Sequence, residues 1–182
     1  MTRHQLSSVG LAKHEVRRRI GSREWQPYGS KVIAMTDAPL SRQQSWRAAA
    51  LHVGPRASIA GLTALEWWGL DGWERPDVHL LVPAGTHATR VPGVCVHRSV
   101  RLADVERSEI DGVPVTTAAR AALDGARWQR SRATAAGLVL ATVQQGLATV
   151  DEIDACLRRF LKVGQKTVVL NALDDAADGA DS

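Results

Sequence analysis

The hydrophobic period of this chain changes along its length. Between residues 41 and 70 apolar positions recur at helical spacing, residues 78 to 115 break into short β-type runs, and from residue 116 helical spacing returns. Strands gathered between runs of helices predict an α+β fold. The β section comprises Val78 to Val82 (VHLLV), Gly93 to Arg98 (GVCVHR), and the pair Val105 to Ile110 and Val113 to Val115. Asp111-Gly112 joins the last two and predicts a two-residue hairpin turn, since both residues tolerate positive φ.

Local start and stop signals place the helices. Ser41 and Gln44 form a capping box before a helix that turns Trp46, Ala49, Ala50 and Val53 inward and ends at Gly54-Pro55. Gly61 to Leu70 (GLTALEWWGL) reads as a short apolar helix, with Trp67, Trp68 and Trp73 as core anchors. Thr116 or Thr117 caps a helix through Ala126, and a longer one runs from about Arg130 to Gln145, closed by Gly146. Thr149 and Glu152 box the next helix, whose Ile153, Cys156, Leu157, Phe160 and Leu161 recur at i, i+3, i+4, i+7 and i+8. A final helix from about Gln165 to Ala177 runs into the acidic tail of residues 178–182. Residues 41–177 thus form a small mixed α/β domain with C-terminal helices.

The first 36 residues form a separate unit. Thr2 with Gln5 makes a capping box, Leu6 and Val9 supply an apolar side, and Gly10 stops the helix. A second helix from about Ala12 to Ile20 carries Ala12, Val16 and Ile20 on one stripe, and Trp25 to Met35 gives two extended runs around Tyr28-Gly29-Ser30-Lys31. Helix, tight turn, helix and hairpin is the order of a winged helix-turn-helix. Charge is concentrated there too. Residues 1–60 hold ten Lys/Arg against three Asp/Glu, whereas residues 61–182 hold thirteen against sixteen. Such asymmetry predicts a polyanionic partner for the basic part, nucleic acid being the commonest, against the plainer alternative of a solvated basic surface.

The candidate DNA-contacting residues are Lys13, His14, Arg17, Arg18, Arg19, Arg23, Tyr28 and Lys31. Lys13 and Arg17 are i, i+4 neighbours facing one way, where an arginine can pair bidentately with guanine in the major groove. Arg18 and Arg19 point to adjacent sides, better placed for phosphate, and Lys31 can follow the backbone from the hairpin as a wing does.

Catalytic signals are missing. The sequence has no HExxH, GxxxxGK[ST], GxSxG or GxGxxG pattern, so no catalytic residue, metal site or cofactor is expected. The six histidines are scattered singly, and His79 and His97 read as partly buried strand residues. Cys95 and Cys156 match no metal or disulfide spacing, and Cys156 lies on an apolar helical stripe, which fits a reducing cytoplasm. The stretch from Ala133 to Val150 is too interrupted by polar residues and glycines to span a membrane.

The segment LSSVGLAKHEVRRRIGSREWQPYGSKVIAM resembles the N-terminal winged helix of AbiEi-type antitoxins. IAGLTALEWWGL, VHLLVP, GVCVHRS and DGVPVTTAARAALD, in that order, are similar to the domain that follows it in that family, so the likeness covers nearly the whole chain. The resemblance implies a bacterial transcriptional regulator of a type IV toxin–antitoxin system, one that binds double-stranded operator DNA, represses its own operon and counteracts a nucleotidyltransferase-like toxin without a stable complex. Many relatives continue into a Vsr-like (very-short-patch-repair) endonuclease domain whose acidic motifs do not occur here. The alternative expectation is therefore a truncated, catalytically inert regulatory half of such a protein. Relatives also carry an extra helix before the segment equivalent to Thr2, so the expected head lacks the family's first helix.

Overall fold

The computed structural model describes residues 1–100 and 102–160, apart from the side chain of Phe160. The expected helix of residues 165–177, the acidic tail and the Leu161 end of the last apolar stripe lie outside the described residues. The fold is mixed α and β, with two sheets. Among the described residues no helix is long and apolar enough to cross a membrane.

The head is built from α1 (Arg3–Ser8), α2 (Lys13–Gly21), β1 (Gln26–Tyr28) and β2 (Val32–Ala34). The capping box closes as expected: the Thr2 hydroxyl accepts from the Gln5 amide and the Gln5 side chain accepts from the Thr2 amide. Gly10, at φ +85°, turns the chain into α2. Two expected apolar positions fall away. Val9 is the C-cap of α1 and stands 63% exposed, and Ala12 is the exposed N-cap of α2. The small core is Leu6, Val16 and Ile33, flanked by Met1, Leu11, Ile20 and Trp25. β1 and β2 pair antiparallel from Gln26↔Ala34 to Tyr28↔Val32, and the chain start lies along β2 through Ile33 N–H to Met1 O (2.8 Å) and Arg3 N–H to Lys31 O (2.8 Å).

The body begins with α3 (Arg42–Val53), capped by the Ser41–Gln44 box, followed by β3 (Ser58–Ile59), α4 (Gly61–Trp68), β4 (Val78–Pro83), β5 (Val94–Ser99), β6 (Arg107–Ile110) and β7 (Val113–Thr116). Three helices follow among the described residues: α5 (Ala118–Arg127), α6 (Arg132–Gln144) and α7 (Val150–Phe160). The strands order as β5-β4-β3-β7-β6. β3 has only two residues, too few to show alternation, yet it joins the sheet by pairing antiparallel with β4 (Ser58↔Leu81, Ile59↔Leu80) and parallel with β7 (Ile59↔Val115). β4 and β5 run parallel, and β6–β7 is the expected hairpin, with Asp111 at φ +48° and Gly112 at +75°. Val105 and Glu106, expected at the start of β6, instead form part of a short 3-10 turn, Asp104–Glu106.

Period-2 alternation sorts the faces of β4 and β5. Val78, Leu80 and Val82 enter the core, with Val94 and Val96 packed against it, while His79, Leu81, Cys95 and His97 share the other face. The alanines of α5 let backbones approach: a Cβ at Gly125 would lie 2.8 Å from Leu138 Cδ2 and 3.5 Å from the Leu62 amide. Trp67, Trp68 and Trp73 are half-buried at the margin and not central, whereas Trp46 is the indole buried in the core. Trp68 donates its Nε1–H to Thr116 O at 2.9 Å. Thr117 caps α5, Ser131 caps α6, and Thr149 with Glu152 boxes α7, burying Ile153, Cys156 and Leu157. A Thr149→Ala variant should lose about 1 kcal/mol, read from the urea midpoint at unchanged m-value.

Candidate functional site

The cations of α2 divide by their partners. Glu15 accepts from Arg18 (Nε 3.1 Å, Nη2 2.9 Å) and from Arg19 Nε (2.9 Å), i+3 and i+4 along the helix. Those bonds, led by the one from Arg18, hold the Glu15 carboxyl down at about 2. The Arg19 guanidinium also lies 4.8 Å from the centre of the Trp25 ring, a cation–π distance. Both arginines expected at phosphate are thus bonded to a carboxylate of their own helix.

Lys13 and Arg17 face the other way. With Arg3, Ser7, Leu11 and Val16 they line a notch of about 130 Å³ between α1 and α2. Arg3 was not among the sequence candidates; its Nε donates to Ser30 O at 3.1 Å, tying α1 to the hairpin turn next to Lys31. Its placement depends on the pairing of Thr2 with Val32, a contact between segments 30 residues apart that no local pattern reveals. Lys13, His14, Arg17, Arg23 and Lys31 are exposed, and among the described residues none of the four Lys and Arg side chains in that set is in an ion pair. Arg23 adopts φ +62° just after α2 and projects from the turn into the hairpin. Tyr28 stands apart from this surface: it is half-buried against the body core, and burial pushes its phenol upward.

His79 and His97, read as scattered singly, meet. The parallel register places His79 opposite Cys95, so His97 falls two residues along on the same face, with His79 Nδ1 and His97 Nε2 3.0 Å apart. Trp128 stacks on His97 with centroids 3.4 Å apart and planes 7° from parallel. Burial lowers both imidazoles, and His97, further disfavoured by His79 and Arg127, falls to about 4. The pair is therefore neutral near pH 7. Among the described residues no group of three or more His, Cys, Asp or Glu is placed to hold a metal ion.

No family model matches the chain, and no curated protein does either.

Proposed function

We propose that the protein is a non-enzymatic DNA-binding regulator of the AbiEi antitoxin type, with residues 1–36 serving as a winged helix-turn-helix reader and the body as effector or scaffold. The observation that carries this reading is the unpaired Lys13–Arg17 face of α2, joined by Arg3 and flanked by Lys31 on the hairpin and Arg23 after the helix. In such a reader α2 enters the major groove, Arg17 reaches base edges, and the remaining cations neutralise phosphates. Repression of its own operon and antagonism of a nucleotidyltransferase-like toxin follow from the family resemblance.

The test is binding of the full chain to its own upstream DNA and to a scrambled duplex across a salt series. With four or five phosphate contacts, log K should fall against log salt with a slope of about −3.5 to −4.5. Arg17→Ala should lose about 1–3 kcal/mol and relax sequence preference. Arg18→Ala should lose less, because Arg18 is already bonded to Glu15. Glu15→Gln should tighten binding to both duplexes and steepen the slope, since it releases Arg18 and Arg19. Binding that is undetectable, or that is indifferent to salt and to Arg17, would overturn the proposal.

A further inference from the structure

Between the head and the body lies a cleft of about 500 Å³, within the range of small-molecule sites. Its walls come from three places. α3 and the loop after it give Ala50, Leu51 and Pro55, the β6–β7 hairpin gives Val113 and Pro114, and α1 closes the third side. Leu51 is 39% exposed at this wall, an aliphatic side chain left uncovered where the cleft opens.

The polar groups of the cleft are unequal. Thr2 and Gln5 line it, but their side chains are committed to the capping box of α1. What remains is the Arg47 guanidinium and the His4 imidazole, with no carboxylate in the lining. Arg47 lies over the Trp67 ring at 5.6 Å and gives one N–H to Asp111 at 2.7 Å, while a guanidinium carries five. The Asp111 pair is exposed and therefore exchangeable.

We propose that this cleft binds a small amphipathic organic anion, its apolar body against Leu51, Pro55 and Val113 and its acidic group on Arg47. Three walls with an apolar lining and the Arg47 guanidinium, whose exposed Asp111 partner an incoming acid can replace, suit such a molecule in size and in polar group. A bound anion touches α1 and α3 together, so it also ties the head to the body.

The probe is 1-anilinonaphthalene-8-sulfonate, with N-phenyl-1-naphthylamine as its uncharged counterpart, titrated into the full chain without DNA. This outcome is independent of the DNA-binding proposal. Saturable one-to-one binding is expected, with the sulfonate about tenfold tighter than the neutral dye, as one charge-assisted hydrogen bond supplies. Arg47→Met should abolish that preference while leaving the neutral dye bound. Leu51→Glu, on an exposed position, should weaken the sulfonate at least tenfold with the circular dichroism unchanged. Weak binding at many sites, equal affinity for both dyes, or indifference to both substitutions would overturn the proposal.

Discussion

Glu106→Ala is expected to cost the body about 3–5 kcal/mol, the penalty for taking a carboxylate out of a buried charge network. Arg120, on the alanine-rich face of α5, is fully buried, and so nearly are Glu106 and Asp124. The guanidinium donates from Nη1 to Glu106 Oε2 at 2.5 Å and from Nε to Asp124 Oδ2 at 2.9 Å. Glu106 also accepts from Arg159 Nε at 3.4 Å and from the Cys156 thiol at 3.6 Å. Without it Arg120 keeps one carboxylate, and Arg159 and Cys156 lose their shared acceptor. Replacing Glu106, Arg120 and Asp124 together by apolar residues of similar volume should be far milder, near neutral, because no charge is then stranded. Urea unfolding of the two variants makes the comparison, and a Glu106→Ala loss below about 1 kcal/mol would mean that water already reaches these charges.

The same network silences Cys156. Burial first, and then the Glu106 carboxylate, push its thiol up to about 12. Alkylation at pH 8 should therefore spare Cys156 in the folded protein and begin only when α7 opens, so the labelling rate followed by mass spectrometry reports that opening. Asp124 carries the opposite pH signature from an exposed ion pair. Burial raises its carboxyl despite Arg120, so protonation favours the folded state. Its contribution to stability is complete below the ordinary aspartate range and is lost as pH rises through the raised value.

What could be read from the sequence was what neighbours within about five residues decide. The capping boxes at Thr2, Ser41 and Thr149 and the Asp111-Gly112 turn rest on such neighbours, and all four formed. The pairing of Glu15 with Arg18 and Arg19 was equally local, at i+3 and i+4 spacing, yet it was missed, and both arginines were expected at phosphate. Features set by register between distant segments could not be read. β3 exists because Ser58 and Ile59 lie between β4 and β7; His79 meets His97 because β4 and β5 run parallel; Arg3 reaches the hairpin because Thr2 pairs with Val32. Glu106 left its strand to meet Arg120, 14 residues away, and took Val105 out to solvent with it.

Gly29→Ala is expected to loosen the head from the body at a cost of about 2–4 kcal/mol, the sum of a left-handed backbone carrying a side chain and a core clash. Gly29 sits in the hairpin turn at φ +58°, and a Cβ there would stand 2.5 Å from His52 Cε1 and 2.7 Å from its Nδ1. His52 is on α3, buried to 1% exposure, beside the Tyr28 backbone and the Lys31 charge. The hairpin turn therefore rests on the His52 ring, and next to it Tyr28 packs into the body core. His52→Ala should relieve the clash but not the backbone strain, so the two substitutions should couple by at least about 1 kcal/mol in a double-mutant cycle. Burial and the Lys31 charge push the His52 imidazole below its usual range, so its folded form prefers to be neutral. The stability that this contributes is present above the ordinary histidine pKa and is lost as pH falls through the lowered value, a dependence that His52→Met should flatten. Tyr28 is the sole tyrosine of the chain, so fluorotyrosine labelling gives one fluorine signal at this junction. In Gly29→Ala that signal should shift toward solvent while amides of α4 and α5 keep their protection. Slow exchange lost equally from head and body would instead mean that the two unfold as one cooperative unit, and an unshifted signal would mean that the turn accepts the side chain.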